Sequence, residues 1–151
     1  YPIYAACMVM GFDIDSLYCL KKIDKTHKVD NFLNIIIQHS SGGVSSIKVG
    51  FGLFYQSTYS VCGEKGKVYL PRAYSINDNM SAKVCIETNK ENKTITLKPE
   101  DQFLKMIESF SEEIIKDKKN YMLFEQESIR IHKILSFVKK SADSGRVLKF
   151  E

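Results

Sequence analysis

The stretch Tyr59-Ser60-Val61-Cys62-Gly63-Glu64-Lys65-Gly66-Lys67-Val68-Tyr69-Leu70-Pro71-Arg72-Ala73-Tyr74 decides the fold of this chain. Tyr59, Val61, Val68 and Leu70 alternate along the chain on either side of a Gly-x-x-Gly turn. Two strands can therefore pair as a hairpin with these four side chains on one face. Gly63 and Gly66 are expected to give the turn positions that tolerate positive φ. Pro71, with no backbone N–H to donate, stops the second strand. Such a hairpin belongs to an antiparallel sheet, and the flanking sequence extends that sheet in both directions.

Upstream, Pro2 suits the first turn of a helix, and Ile3, Cys7 and Met10 recur at helical spacing before Gly11. Leu17 to Asp24 and Phe32 to Ser40 read as strands joined by the polar segment Lys25 to Asp30. After the turn Ser41-Gly42-Gly43, Ser45 to Tyr55 reads as a third strand, with Ile47, Val49, Phe51 and Leu53 on one face. Ser46, Lys48, Gly50 and Gly52 occupy its other face, which glycine leaves bare enough to need a close neighbour. Leu33, Ile35 and Ile37 point one way while Phe32 and Ile36 point the other, so both faces of this sheet need cover. Helices can supply one cover and another subunit the other.

Downstream, Tyr74 to Ser81 is a polar loop, and Ala82 to Thr88 can pair with Lys93 to Lys98 across Asn89 to Asn92. Pro99-Glu100-Asp101 predicts a helix start with acids in the first turn, followed by an apolar stripe of Phe103, Ile107, Phe110 and Ile114. A further helix is predicted from Gln126 to Ala142, with Ile131, Ile134, Leu135, Val138 and Ala142 on one side. Gly145 ends it, and Arg146 to Phe150 closes the sheet. The expected fold class is α+β in one domain over residues 1–151: a mostly antiparallel open β-sheet, helices packed on one face, the other face available for subunit contact.

Composition excludes several function classes. The 151 residues are 44% hydrophobic and 26% charged, as in an ordinary globular domain. Despite the net charge of +4, the lysines at 116, 118, 119, 139 and 140 are interleaved with Glu112, Glu113, Asp117 and Asp143. That is the pattern of solvated helix faces rather than a phosphate-binding stripe, and no nucleic-acid-binding signature is present. Apolar runs such as Leu33 to Ile37 are too short for a membrane span, and no signal peptide is visible. Cys7, Cys19, Cys62 and Cys85 form no C-x-x-C pattern; we expect buried free thiols in a reducing cytoplasm. Asn79-Met80-Ser81 and Asn92-Lys93-Thr94 fit the glycosylation sequon, which carries weight only in secreted chains. The first residue is Tyr1, not Met, so a processed or excised piece of a longer protein is expected.

Catalytic motifs fail on context. Gly50-Phe51-Gly52 lies within the predicted third strand and opens no helix, so it is no dinucleotide fingerprint. Gly66-Lys67 is followed by Val68 rather than Ser or Thr, so it is no phosphate loop. His27, His39 and His132 are scattered through a loop, a strand end and a helix surface, away from any metal-ligand spacing. No metal site is expected, and no complete catalytic apparatus is legible.

Several segments together resemble the C-terminal domain of the Gfo/Idh/MocA family of NAD(P)-dependent oxidoreductases, in its dihydrodiol dehydrogenase and D-xylose dehydrogenase branch. They are Tyr1-Pro2-Ile3-Tyr4-Ala5-Ala6 with Gly11, Lys28-Val29-Asp30, Val61 to Tyr74, Asp101-Gln102-Phe103 with Phe110, and Ser141-Ala142-Asp143-Ser144-Gly145-Arg146-Val147. The resemblance implies hydride transfer between NAD or NADP and a sugar, polyol or diol. It also implies a homo-oligomer formed through the sheet face, and a Rossmann domain, absent from this chain, that binds the coenzyme. The family's active site pairs a lysine of that domain with a segment of the form Asp-x-Gly-x-Tyr. Tyr1 falls on the tyrosine of this segment and is the implied catalytic residue. The acid and glycine before it, and the lysine, are not in the chain, so this fragment by itself is expected to be inactive and to hold no cofactor. A tyrosine beside an ammonium can serve as general acid/base because the positive charge favours phenolate. Tyr4, one turn further on, could face substrate but reads better as a core tyrosine. Substrate-binding residues stay unassigned. The rival reading is a stand-alone protein-interaction module using the open sheet face; weaker still is binding of an anionic polymer, which added salt would abolish.

Overall fold

The computed structural model describes residues 1–116 and 121–150; Asp117, Lys118 and Lys119 of the interleaved charge cluster lie outside the described residues. In chain order the elements are α1 (Pro2–Met10), β1 (Ile14–Ile23), β2 (Asp30–His39), β3 (Val44–Gly50), β4 (Tyr59–Gly63) and β5 (Gly66–Leu70). These are followed by β6 (Lys83–Thr88), β7 (Asn92–Thr96), α2 (Gln102–Ile115), α3 (Tyr121–Ser144) and β8 (Leu148–Lys149). The fold is α+β, as expected. In place of one sheet there are two open antiparallel ones, ordered β3-β2-β1-β8 and β4-β5-β6-β7. They fall in separate compact units: residues 1–53 with 121–150, and residues 54–116.

The first unit carries the core. Leu17 pairs with Ile37, Cys19 with Ile35 and Ile35 with Ile47, so alternation places all five on one face. Ile3 and Cys7 of α1 and Ile134 and Val138 of α3 cover that face and are buried with them. Burying each such side chain contributes about 1.5–3 kcal/mol. Two buried polar side chains tie the cover to the sheet. The Ser141 hydroxyl accepts from the Cys19 N–H at 2.9 Å and donates to the Arg146 carbonyl at 2.6 Å, joining α3 to β1 and to the entry of β8. His39, fully buried at the end of β2, has Nδ1 3.0 Å from the Gly11 carbonyl and Nε2 2.9 Å from the Ser45 hydroxyl. A carbonyl only accepts, so Nδ1 carries a proton. Gly145, at φ 66, closes α3 with its N–H on the Ser141 carbonyl, as its position in sequence suggests.

Three expectations change here. The third strand stops at Gly50 instead of continuing to Tyr55, because Gly52 turns the chain at φ +71 and leaves Phe51 and Leu53 exposed. The bare face at Gly50 meets its own neighbours: a Cβ there would stand 2.9 Å from the Phe32 ring and 3.2 Å from the Asn31 carbonyl. Helix α3 starts at Tyr121, before the Gln126 read from periodicity, and Leu135 faces out at 45% exposure.

In the second unit the deciding hairpin forms in the expected register, Tyr59 opposite Leu70 and Val61 opposite Val68. Its turn residues are Glu64 and Lys65. Gly63 does not adopt positive φ, whereas Gly66 does, at φ 157, and a Cβ there would in addition collide with the Glu87 carbonyl on β6. Ahead of α2, Pro99 and Glu100 precede the helix, and Asp101 is its N-cap, with a carboxylate oxygen accepting from the N–H groups of Phe103 and Leu104. The stripe of Phe103, Ile107, Phe110 and Ile114 is present, yet no α2 residue is buried. Cys7 and Cys19 are buried free thiols as expected, whereas Cys62, on the polar face of the hairpin beside its turn, is exposed and Cys85 half-buried. Among the described residues, no helix is long and apolar enough to cross a membrane.

Candidate functional site

The two tyrosines singled out in the sequence, Tyr1 and Tyr4, lie at the start of α1. Pro2 opens the helix where its missing N–H leaves nothing unsatisfied, and Ile3 and Cys7 anchor one side in the core. Burial pushes the Cys7 thiol up to about 11, so it stays protonated and inert at neutral pH. Tyr1 is the N-cap residue; its carbonyl accepts from the Ala5 N–H at 3.0 Å and its side chain is 87% exposed. Tyr4 is not the core tyrosine expected from its spacing. It is exposed, its ring edge-on to Phe12 at 5.9 Å, and its hydroxyl donates to Glu127 Oε2 at 2.8 Å. The hydrogen bond to Glu127 first, then burial and the carboxylate charge, raise the Tyr4 phenol above its ordinary value. Close by in the chain, Arg130 of α3 lies 4.0 Å from Asp13.

Glu127 escaped the sequence reading, although a signal was there. Positions 127, 131, 134 and 138 follow one another at spacings of four, three and four, so a carboxylate occupies the packed stripe one turn before Ile131. The histidines are not brought together. His27 is exposed in a turn where Asp24 accepts from the N–H groups of His27 and Thr26, which lowers the Asp24 carboxyl. His132 places Nδ1 2.8 Å from the Ser128 carbonyl on its own helix. Among the described residues, no group of three or more His, Cys, Asp or Glu could hold a metal ion.

Residues 54–116 hold a cleft of about 330 Å³ lined by Ser75, Ile76, Asn77, Asp78, Asp101 and Gln102. Gln102 Nε2 donates to the Ile76 carbonyl across it at 3.1 Å. Nearby in sequence, the Arg72 guanidinium stacks over Tyr55 at 4.6 Å, and the buried Ser57 hydroxyl bonds the backbone N–H and carbonyl of Tyr74. Neither feature was expected. Among the described residues, no glycine-rich turn leads from a strand into a helix; Gly63 and Gly66 flank a hairpin, and Gly50 and Gly52 close a strand. These residues do not form a dinucleotide cradle.

The α+β fold is shared with solved structures of oxidoreductases. The chain is similar to the crystal structure of a 3-ketoreductase from Actinomadura kijaniata in complex with NADP and TDP-benzene. The TM-score is 0.85 at 20% identity, over 93% of this chain and 43% of that one. It is also similar to an oxidoreductase from Thermotoga maritima, at a TM-score of 0.74 and 16% identity, over 97% of this chain and 40% of that one. Two curated relatives are both dTDP-3,4-didehydro-2,6-dideoxy-alpha-D-glucose 3-reductases. The one from Saccharopolyspora spinosa is 28% identical over 86 residues, covering 57% of this chain and 26% of its own length. The one from Actinomadura kijaniata is 23% identical over 115 residues, covering 76% of this chain and 35% of its own. The chain thus spans about a quarter to a third of the curated relatives it matches. No protein-family model matches it.

Proposed function

We propose that this chain is the substrate-side and oligomerisation domain of an NAD(P)-dependent oxidoreductase of the Gfo/Idh/MocA kind, transferring a hydride between the coenzyme and a carbon of a sugar, polyol or diol. The observation that carries this reading is the shared fold, which covers 93% of this chain but under half of an NADP-binding 3-ketoreductase. In this reading the coenzyme is held by a portion of the enzyme outside this chain. Within the substrate class, the names of both curated relatives favour a keto sugar carried on a nucleotide.

In this reading Tyr1 exchanges the proton at the reacting hydroxyl oxygen, and a lysine from the coenzyme-binding portion eases formation of its phenolate. Exposure of Tyr1 at the start of α1 is in keeping with that role. The open face of the first sheet, where Leu20, Ile36 and Val44 are exposed, is the homo-oligomer surface of this reading. The buried free thiols of Cys7 and Cys19 suit a cytoplasmic enzyme. A stand-alone interaction module would use the same apolar face, and coenzyme-dependent turnover separates the two.

The test is a screen of nucleotide sugars, free sugars and diols with both coenzymes on the full-length protein, with the Tyr1→Phe variant alongside. Loss of the phenol is expected to lower kcat by about 10²–10⁴-fold. Near wild-type turnover in Tyr1→Phe removes Tyr1 from the mechanism, and no turnover with any pair removes the enzymatic reading.

A further inference from the structure

We propose that Arg72, held over Tyr55, is a phosphate-binding residue, and that the phosphate belongs to a substrate carried on a nucleotide. The second half rests on the reading of the substrate as a nucleotide-borne sugar; the first half does not. The chain has three arginines, at 72, 130 and 146. Arg130 and Arg146 are exposed, and Arg130 faces Asp13. Arg72 is half-buried, its Nε is shielded from water without a hydrogen-bond partner, and no ion pair among the described residues includes it. A guanidinium stays charged when shielded, so one left unpaired favours an anion.

The contact that Arg72 does make sharpens this. Its guanidinium carbon stands 4.6 Å from the centre of the Tyr55 ring. The ring attracts the positive charge but gives the N–H donors no oxygen. The planar fork is left for a group with two oxygens side by side, as in phosphate or carboxylate.

The backbone around the pair is set without a ligand. The Ala73 N–H donates to the Ser57 carbonyl at 2.6 Å. The buried Ser57 hydroxyl accepts from the Tyr74 N–H at 3.0 Å and donates to the Tyr74 carbonyl at 2.9 Å. These three bonds pin the segment after β5 against residues 55–57, so little ordering remains to oppose binding. Tyr55 and Phe54, consecutive in the chain, are both exposed. Exposed rings offer a base a stacking surface that inorganic phosphate would not use, which favours a nucleotide as the carrier.

The experiment is titration calorimetry of the full-length protein with dTDP, NADP⁺ and inorganic phosphate, comparing wild type with Arg72→Gln, Arg72→Lys and Tyr55→Phe. Arg72→Gln is expected to weaken dTDP about 10–100-fold while NADP⁺ moves less than about 2-fold. Arg72→Lys keeps the charge but loses the fork, and should weaken dTDP about 5-fold. Tyr55→Phe keeps the ring and should stay within about 2-fold. Should Arg72→Gln prove unstable, the Arg72 Nε–H resonance of ¹⁵N-labelled wild type decides, and is expected to shift on adding dTDP. Weakening of NADP⁺ alone gives the phosphate to the coenzyme and overturns the substrate assignment. Weakening of inorganic phosphate alone overturns it too. Unchanged affinities for all three, or a resonance that none of them moves, overturn the site itself. A wild type that turns over free sugars and does not bind dTDP removes the nucleotide-sugar reading. A resonance shifted by inorganic phosphate in that case still upholds Arg72 as a phosphate-binding residue.

Discussion

Residues 1–53 with 121–150, and residues 54–116, are assembled from the same parts: four antiparallel strands and amphipathic helix. Only the first closes a core. Among the described residues, every buried hydrophobic side chain belongs to it, from Ile3 to Val138, while the second contributes only Ser57 to the buried set. The apolar stripes of α1 and α3 lie on their sheet. The stripe of α2 stays exposed, Phe103, Ile107, Phe110 and Ile114 each at 58–68%. Helical periodicity describes the helix alone; burial depends on what comes to face it. The polar ties differ less. Ser141 and His39 join different elements of the first unit from buried positions, and in the second the buried Ser57 ties Tyr74, while Asp101 and Thr88 cap local backbone at the surface.

Truncation gives the largest expected contrast. Ile37→Ala, at a fully buried site, should cost about 2–5 kcal/mol in urea unfolding. Ile107→Ala, at a comparable place on α2, should stay within about 0.5 kcal/mol. Equal costs would break the comparison, because the α2 face would then be covered in solution. Next comes Gly66→Ala. Its new Cβ would press against the Glu87 carbonyl, a backbone atom that cannot swing away, and should cost about 1–3 kcal/mol. Amide hydrogen exchange should show faster opening of β5 and β6 with β1 and β2 unchanged; acceleration of both sheets alike would mean the two units unfold as one.

The smallest effect concerns Lys21 on β1, which pairs with Asp143 of α3 and stands 3.7 Å from Asp30. The Lys21 hydrogen bond lowers the Asp143 carboxyl, and the same bond raises Lys21. A lowered carboxyl contributes stability above its unfolded value near ~3.9, and loses it as pH falls through the folded value. The unfolding midpoints of wild type and Asp143→Asn should therefore differ slightly at neutral pH and converge in acid below that value. The pair is solvent-exposed, so the gap is small and shrinks with added salt. A gap unchanged down to the acid limit would show that the pair does not act through charge.

Much of this was legible beforehand because it is local. The hairpin register follows from alternation about a short turn. The ends of α1 and α3 follow from Pro2, Gly11 and Gly145, and the strand faces from period-two patterning. Where the reading slipped, a backbone turn or a long-range contact decided. Gly66 takes the positive φ expected of it and is also a close-approach glycine, since its neighbour Glu87 lies on another strand. The strand expected to reach Tyr55 ended at Gly50, because Gly52 turns the chain. Tyr4 looked like core because nothing near it in sequence announces Glu127, 123 positions away.

By itself, then, the sequence determined the order and type of the helices and strands, which side of most of them is apolar, and that Pro2 opens α1 just after Tyr1. It could do so because those properties are set by neighbours within a few positions. Tertiary structure alone decided that the strands divide into two sheets, that one apolar stripe is covered and another left open, and that a carboxylate on α3 meets a phenol on α1. Those outcomes depend on distances between segments far apart in the chain, and no local pattern encodes them.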